Sequence, residues 1–133
     1  MKSQHGNRII GKRGYGNVLI VKALFNKINR LSLLVDTGAA MTAITPQVAI
    51  DLDFDITKPS RWMEIASVHQ TERVPVLRFD TVQVGGQRVS RLEVVVLPMP
   101  VTMRIDGLLG VNFLRRFRTT FEFDQATLVL RQA

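Results

Sequence analysis

The chain has no cysteine, which excludes disulfides, thiolate catalysis and cysteine-held metal centres. Among its 133 residues there are two histidines, His5 and His69, too few to build a histidine-rich metal site within one chain. No apolar run approaches the roughly 18 residues that a membrane-spanning helix needs, so no membrane segment is expected. Met1 to Gly6 is charged but no apolar stretch follows it. With no sign of a secretory leader, a cytoplasmic setting is the expectation. Aromatic residues make up only 7%. They do not interleave with the one small basic cluster, Arg115, Arg116 and Arg118, so a stacking platform for single-stranded nucleic acid is disfavoured. The net charge of +7 is otherwise dispersed. It reads as a solvated surface, and no nucleic-acid partner is expected.

Two familiar motifs are approached and missed. Gly6 to Lys12 follows the G-x-x-x-x-G-K phosphate loop, but Arg13 stands where Ser or Thr should hold magnesium. Only five residues precede Gly6, too few for the strand that such a loop follows. Asp51, Asp53 and Asp55 alternate as in a calcium loop. Ile56 replaces the glycine and Trp62 the final glutamate, so these acids read as helix-end and loop charges. Neither a metal nor an organic cofactor is expected.

What the chain does contain is short apolar segments separated by turn residues, at a length that suits one domain. Residues 1–16 are polar and glycine-rich and are expected to form a flexible N-terminal arm. Residues 17–133 form the domain. Val18 to Phe25 and Arg30 to Val35 read as a hairpin over Asn26 to Asn29, and Ala39 to Ile44 as a short strand. Thr45 is a good N-cap and Pro46 suits the first helical position, predicting a helix to about Leu52. Trp62 to Val76 reads as two strands with a polar tip at Ser67 to Thr71, and Leu77 to Val84 as a further strand. Gly85-Gly86 turns the chain into Gln87 to Leu97. A last hairpin spans Thr119 to Phe123 and Thr127 to Leu130. This spacing predicts a mostly β, barrel-like domain with one or two short helices.

One stretch organises the rest. Leu33-Leu34-Val35 is an apolar run that ends in Asp36-Thr37-Gly38-Ala39. A buried strand does not normally finish in a carboxylate unless the acid has a partner or a task. Later, Asp106-Gly107 leads into Leu108-Leu109-Gly110, with Val111 to Phe117 expected as a helix. A hydrophobic strand, D-T-G-A and a late apolar-apolar-Gly together resemble the single-domain retropepsin-like aspartic proteases, over roughly Val18 to Leu130.

The resemblance implies a closed acid-protease β-barrel, one lobe per chain. It implies an aspartic endopeptidase with Asp36, Thr37 and Gly38 as catalytic residues. One such motif is half a site, so a homodimer acting on a peptide or protein substrate is implied, with two Asp36 carboxylates activating water. Leu108, Leu109 and Gly110 would support the catalytic loop. Ala39 and Ala40, with Ala66, Ser67, Val68 and His69 at the tip of a flap hairpin, would contact substrate. The chain also departs from the retroviral pattern. The flap has no glycine between Met63 and Val76, and the acid and arginine that pair in retroviral enzymes are Ala40 and Val111 here. Both are replaced together, so no charge is stranded. The pattern is closer to cellular and bacterial members. The alternative is a non-catalytic dimerisation or peptide-binding module on the same fold.

Overall fold

The computed structural model describes residues 7–66 and 69–133. Its strands are β1 (Arg8–Ile10), β2 (Lys12–Arg13), β3 (Leu19–Phe25), β4 (Asn29–Val35), β5 (Thr42–Ile44), β6 (Arg61–Ala66), β7 (Thr71–Val84), β8 (Gln87–Val96), β9 (Gly107–Leu109), β10 (Phe117–Glu122) and β11 (Thr127–Gln132). Two short helices, α1 (Pro46–Asp51) and α2 (Val111–Leu114), interrupt them. The hairpin β3–β4 forms because apolar residues alternate on both strands and face one core. Helix α1 starts as its sequence dictates: the Thr45 hydroxyl accepts from Val48 N at 3.2 Å, and Pro46 opens the first turn.

The strands β3-β4-β9-β5-β8-β7 follow one another in hydrogen-bonded order, and β7 returns to pair with β3 through Leu24↔Gln83 and Phe25↔Val82. The result is a closed six-stranded barrel. Strand β2 extends it beside β3, and β6 extends it beside β7. A separate three-stranded sheet, β1-β11-β10, joins the two ends of the described chain. A single residue, Gly11, lies between β1 in one sheet and β2 in the other. Of the segment expected as an arm, residues 1–6 lie outside the described residues, and Arg8 to Arg13 supplies these two edge strands.

The barrel interior is filled by Phe25, Phe79, Leu33, Leu109, Phe113 and Leu130, all essentially inaccessible to solvent. Phe79 meets Phe25 edge-on at 4.9 Å and Phe54 at 5.2 Å. A second, smaller cluster lies on the opposite face of β7 and β8. Ala43, Val74, Val76 and Val95 are buried there, with Met41, Met63, Ile65, Leu97 and Leu108 partly covered against them.

The last hairpin is longer than the sequence reading, Phe117–Glu122 with Thr127–Gln132, and three further boundaries differ from it. Val76 and Leu77 belong to one continuous strand of 14 residues, because each is buried against a different cluster on opposite faces. The helix after Gly110 stops at Leu114, since Phe117 already begins β10. Residues 39–41 form a loop, and β5 begins only at Thr42.

Candidate active site

Asp36 lies where β4 leaves the barrel. The strand is held in parallel register with β9, Leu33↔Gly107 through Val35↔Leu109, so its end is placed by two strands at once. Asp36 N donates to the Leu109 carbonyl at 3.0 Å. The chain then turns back on itself. Ala39 N donates to the Asp36 carbonyl at 3.2 Å, and Gly38 N donates to Asp36 Oδ1 at 2.9 Å. This last bond orients the carboxylate. Among the described residues, Oδ2 has no protein partner, and the Thr37 hydroxyl has none either. Thr37 and Gly38 are exposed, whereas Asp36 is half-buried.

The loop is fixed from behind by α2. Val111 N donates to the Ala39 carbonyl at 2.8 Å and Asn112 N to the Ala40 carbonyl at 3.0 Å. The two positions that differ from the retroviral pattern, Ala40 and Val111, thus still lie in the seam between loop and helix. Backbone bonds join Ala39 and Ala40 to the helix there. Its closeness explains Gly110. A Cβ there would lie 2.5 Å from the Met41 carbonyl and 2.8 Å from the Ala39 oxygen. Gly107 is constrained in the same way, against the Ala43 carbonyl.

Beneath the loop is a polar knot in an otherwise apolar interior. Thr42 is fully buried. Its N and Oγ1 both donate to Asn112 Oδ1 at 2.8 Å, and Oγ1 accepts from Gly110 N at 3.1 Å. Asn112 Nδ2 donates to the Glu93 carbonyl at 2.8 Å. Every buried polar atom here is paired, which the low-dielectric interior requires. The sequence reading missed Thr42 and Asn112. The available signal was an amide residue at the second position of a short, otherwise apolar helix.

Alongside the loop runs a cleft of about 320 Å³. Its walls are Gly38, Ala39, Ala40 and Met41 on one side, Met63 to Ala66 on the other, and Val95, Leu97 and Leu108 at the base. The structure therefore brings Ala39, Ala40 and Ala66 to one cavity. His69 is exposed and does not line it, and Ser67 and Val68 lie outside the described residues. The apolar lining from Met41, Met63, Ile65 and Leu97 was not anticipated, because single apolar residues on strands are indistinguishable from core.

The hairpin β6–β7 that overhangs the cleft is pinned at its root. Arg61 Nε and Nη2 donate to the two Glu93 carboxylate oxygens at 2.8 and 2.9 Å, reaching across β7. This hydrogen-bonded guanidinium holds the Glu93 carboxyl below the usual carboxylate range. Nearer the tip, Arg73 stacks 5.2 Å above the Trp62 ring. Among the described residues no cluster of potential metal ligands occurs, and no helix is long and apolar enough to cross a membrane.

Residues 21–116 match a family model described as gag-polyprotein putative aspartyl protease. The fold matches the crystal structure of a retropepsin-like aspartic protease from Rickettsia conorii, with a TM-score of 0.73 and 24% sequence identity. That match covers 92% of this chain and 89% of the other. No curated protein sequence matches.

Proposed function

This chain belongs to the gag-polyprotein aspartyl protease family and carries the retropepsin-like fold, and from that premise we propose that it is a homodimeric aspartic endopeptidase. The observation that carries the reading is the placement of Asp36. It ends a buried strand on a loop clamped by β9 and α2, with one carboxylate oxygen oriented by Gly38 N, the other without a partner among the described residues, and the loop residues that follow, Gly38 to Met41, lining an apolar cleft.

One chain presents one such carboxylate. Two copies related by a twofold axis would bring both Asp36 groups together through the same surface patch on each. Thr37, exposed and without an intramolecular partner, would lock the two loops to each other. Two carboxyls about 3 Å apart cannot both ionise cheaply, so the pair would hold one proton and titrate as a unit. The ionised member takes a proton from water as its oxygen attacks the scissile carbonyl carbon. The protonated member donates to the carbonyl oxygen. Transfer of a proton to the amide nitrogen then breaks the C–N bond and releases an acid and an amine.

Residues 17–133 would form the enzymatic domain. Substrate would lie extended between the loop and the flap β6–β7, held by main-chain bonds, with alternate side chains entering the apolar walls. Ala39, Ala40, Ala66, Ser67, Val68 and His69 are the proposed substrate contacts, joined by Met41, Met63, Ile65 and Leu97. The test is cleavage of a complex peptide mixture, read by mass spectrometry across acidic to neutral pH, beside Asp36→Asn. The parent should cleave and the variant should be inactive with its circular dichroism unchanged. Turnover by Asp36→Asn would refute the mechanism.

A further inference from the structure

A second cavity opens on the outer face of the barrel, away from Asp36. It measures about 350 Å³ and lies between edge strand β1 and strands β3, β4 and β7. Three of its lining side chains are cations, Arg8, Lys22 and Arg30, and none is a carboxylate. Arg8 is paired with Glu122 at 2.8 Å. Among the described residues, Lys22 and Arg30 have no acidic partner, and Lys22 Nζ donates only to Ser32 Oγ at 2.6 Å. An adjoining cavity of about 230 Å³ shares Ile10 and Lys22 with the first and adds Lys12. Ile10, on their common wall, is 81% exposed.

We propose that this groove is a docking site for an acidic, extended peptide segment. The spacing supports that occupant. Lys22 faces Ser32, and Arg30 faces Leu24, across β3–β4. The two cations are therefore diagonal neighbours, roughly 7–8 Å apart at the backbone. Carboxylates at alternate positions of an extended strand are separated by roughly 6.6 Å, so one strand can satisfy both. The groove is also lined by apolar residues, Ile10 on β1 and Leu24 opposite Arg30, which suit the aliphatic side chains of such a strand. Edge strand β1 offers a backbone for an added strand. No lining residue is aromatic, so a nucleic-acid base would find no stacking surface.

The inference rests on the peptidase reading in one respect, that the acidic segment belongs to a protein substrate. Arg30 is six positions before Asp36 on an extended strand, roughly 20 Å away. The acidic segment would then lie at least about six residues from the scissile bond.

The test uses the full chain carrying Asp36→Asn, so binding is read without cleavage and an inactive parent enzyme leaves it intact. A labelled peptide of alternating Glu and Leu is titrated by fluorescence anisotropy at low salt. Lys22→Ala with Arg30→Ala should weaken binding by about tenfold or more. Arg115→Ala with Arg116→Ala removes the same charge elsewhere and should leave it unchanged. Should the alanine pair lose its native circular dichroism, Lys22→Gln with Arg30→Gln gives the same reading. Lys22→Glu with Arg30→Glu should shift preference to an alternating Lys and Leu peptide. Equal weakening by the two double variants, absence of binding by the parent, or tighter binding of oligothymidylate would each overturn the proposal.

Discussion

Replacing Thr42 by valine keeps the shape of the side chain and removes its oxygen. In the folded protein that oxygen donates to Asn112 Oδ1 at 2.8 Å and accepts from Gly110 N at 3.1 Å, with the residue fully buried. Valine loses the first bond, worth about 1 kcal/mol net. It also strands the Gly110 N–H without water or partner, a further cost of about 1–3 kcal/mol. The expected loss is about 2–4 kcal/mol, or roughly 6–15 °C in melting temperature for a chain of this size. Thr42→Ser is the control. It keeps both bonds and loses one methyl group, about 1 kcal/mol. Urea unfolding followed by far-UV circular dichroism, at one fixed protein concentration, gives both values on the same scale. Valine should be less stable than serine by at least about 1 kcal/mol. If valine proves as stable as serine, the knot beneath the loop is a packing feature and the hydrogen-bond argument fails.

Gly110→Ala places a methyl group 2.5 Å from the Met41 carbonyl, and the loop or helix must move apart. It should cost about 1–3 kcal/mol or more and expose the Asp36 amide to hydrogen exchange; unchanged protection would refute the close-approach argument. For Glu93 the folded carboxyl is depressed by Arg61, so its stabilisation is complete above the unfolded value, about 4.3, and is lost as pH falls through the lower folded value. Wild type should therefore melt above Glu93→Gln at neutral pH, with the gap closing at strongly acid pH. A gap that widens on acidification would reverse the sign and refute the assignment.

Much of this was legible because several signals act locally. An apolar run that stops at Asp36, a threonine before Pro46 and a paired glycine at 85 and 86 each state their geometry within a few residues. The parts that were not legible depend on distant partners. Val76 and Leu77 look like a break in alternation because two separate clusters bury opposite faces of one strand. The cut at Leu114 is set by β11 claiming Phe117 to Glu122 as its partner. At the site, Asp36 and Gly110 declare themselves by type. Thr42 and Asn112 do not, since a threonine in a strand and an asparagine in a helix have many ordinary reasons to be there. Their role exists only once a sequence separation of 70 positions has been folded away.

The sheet β1-β11-β10 also imposes an order in time. Arg8 pairs with Val129 and Ile10 with Thr127, so the earliest described strand has no partner in this sheet until Thr127 to Val129 have been synthesised. Pairings of such wide separation carry a large loop-closure cost and form late. Gln87 reinforces the dependence, donating to the Leu130 carbonyl and accepting from Gln132 Nε2. A ribosome-bound chain halted before Thr127 can assemble the barrel hairpins, but it must hold Ile9 without the strand that buries it. Of the described strands, the first made is among the last placed, and its docking reports that the hairpin β10–β11 has arrived.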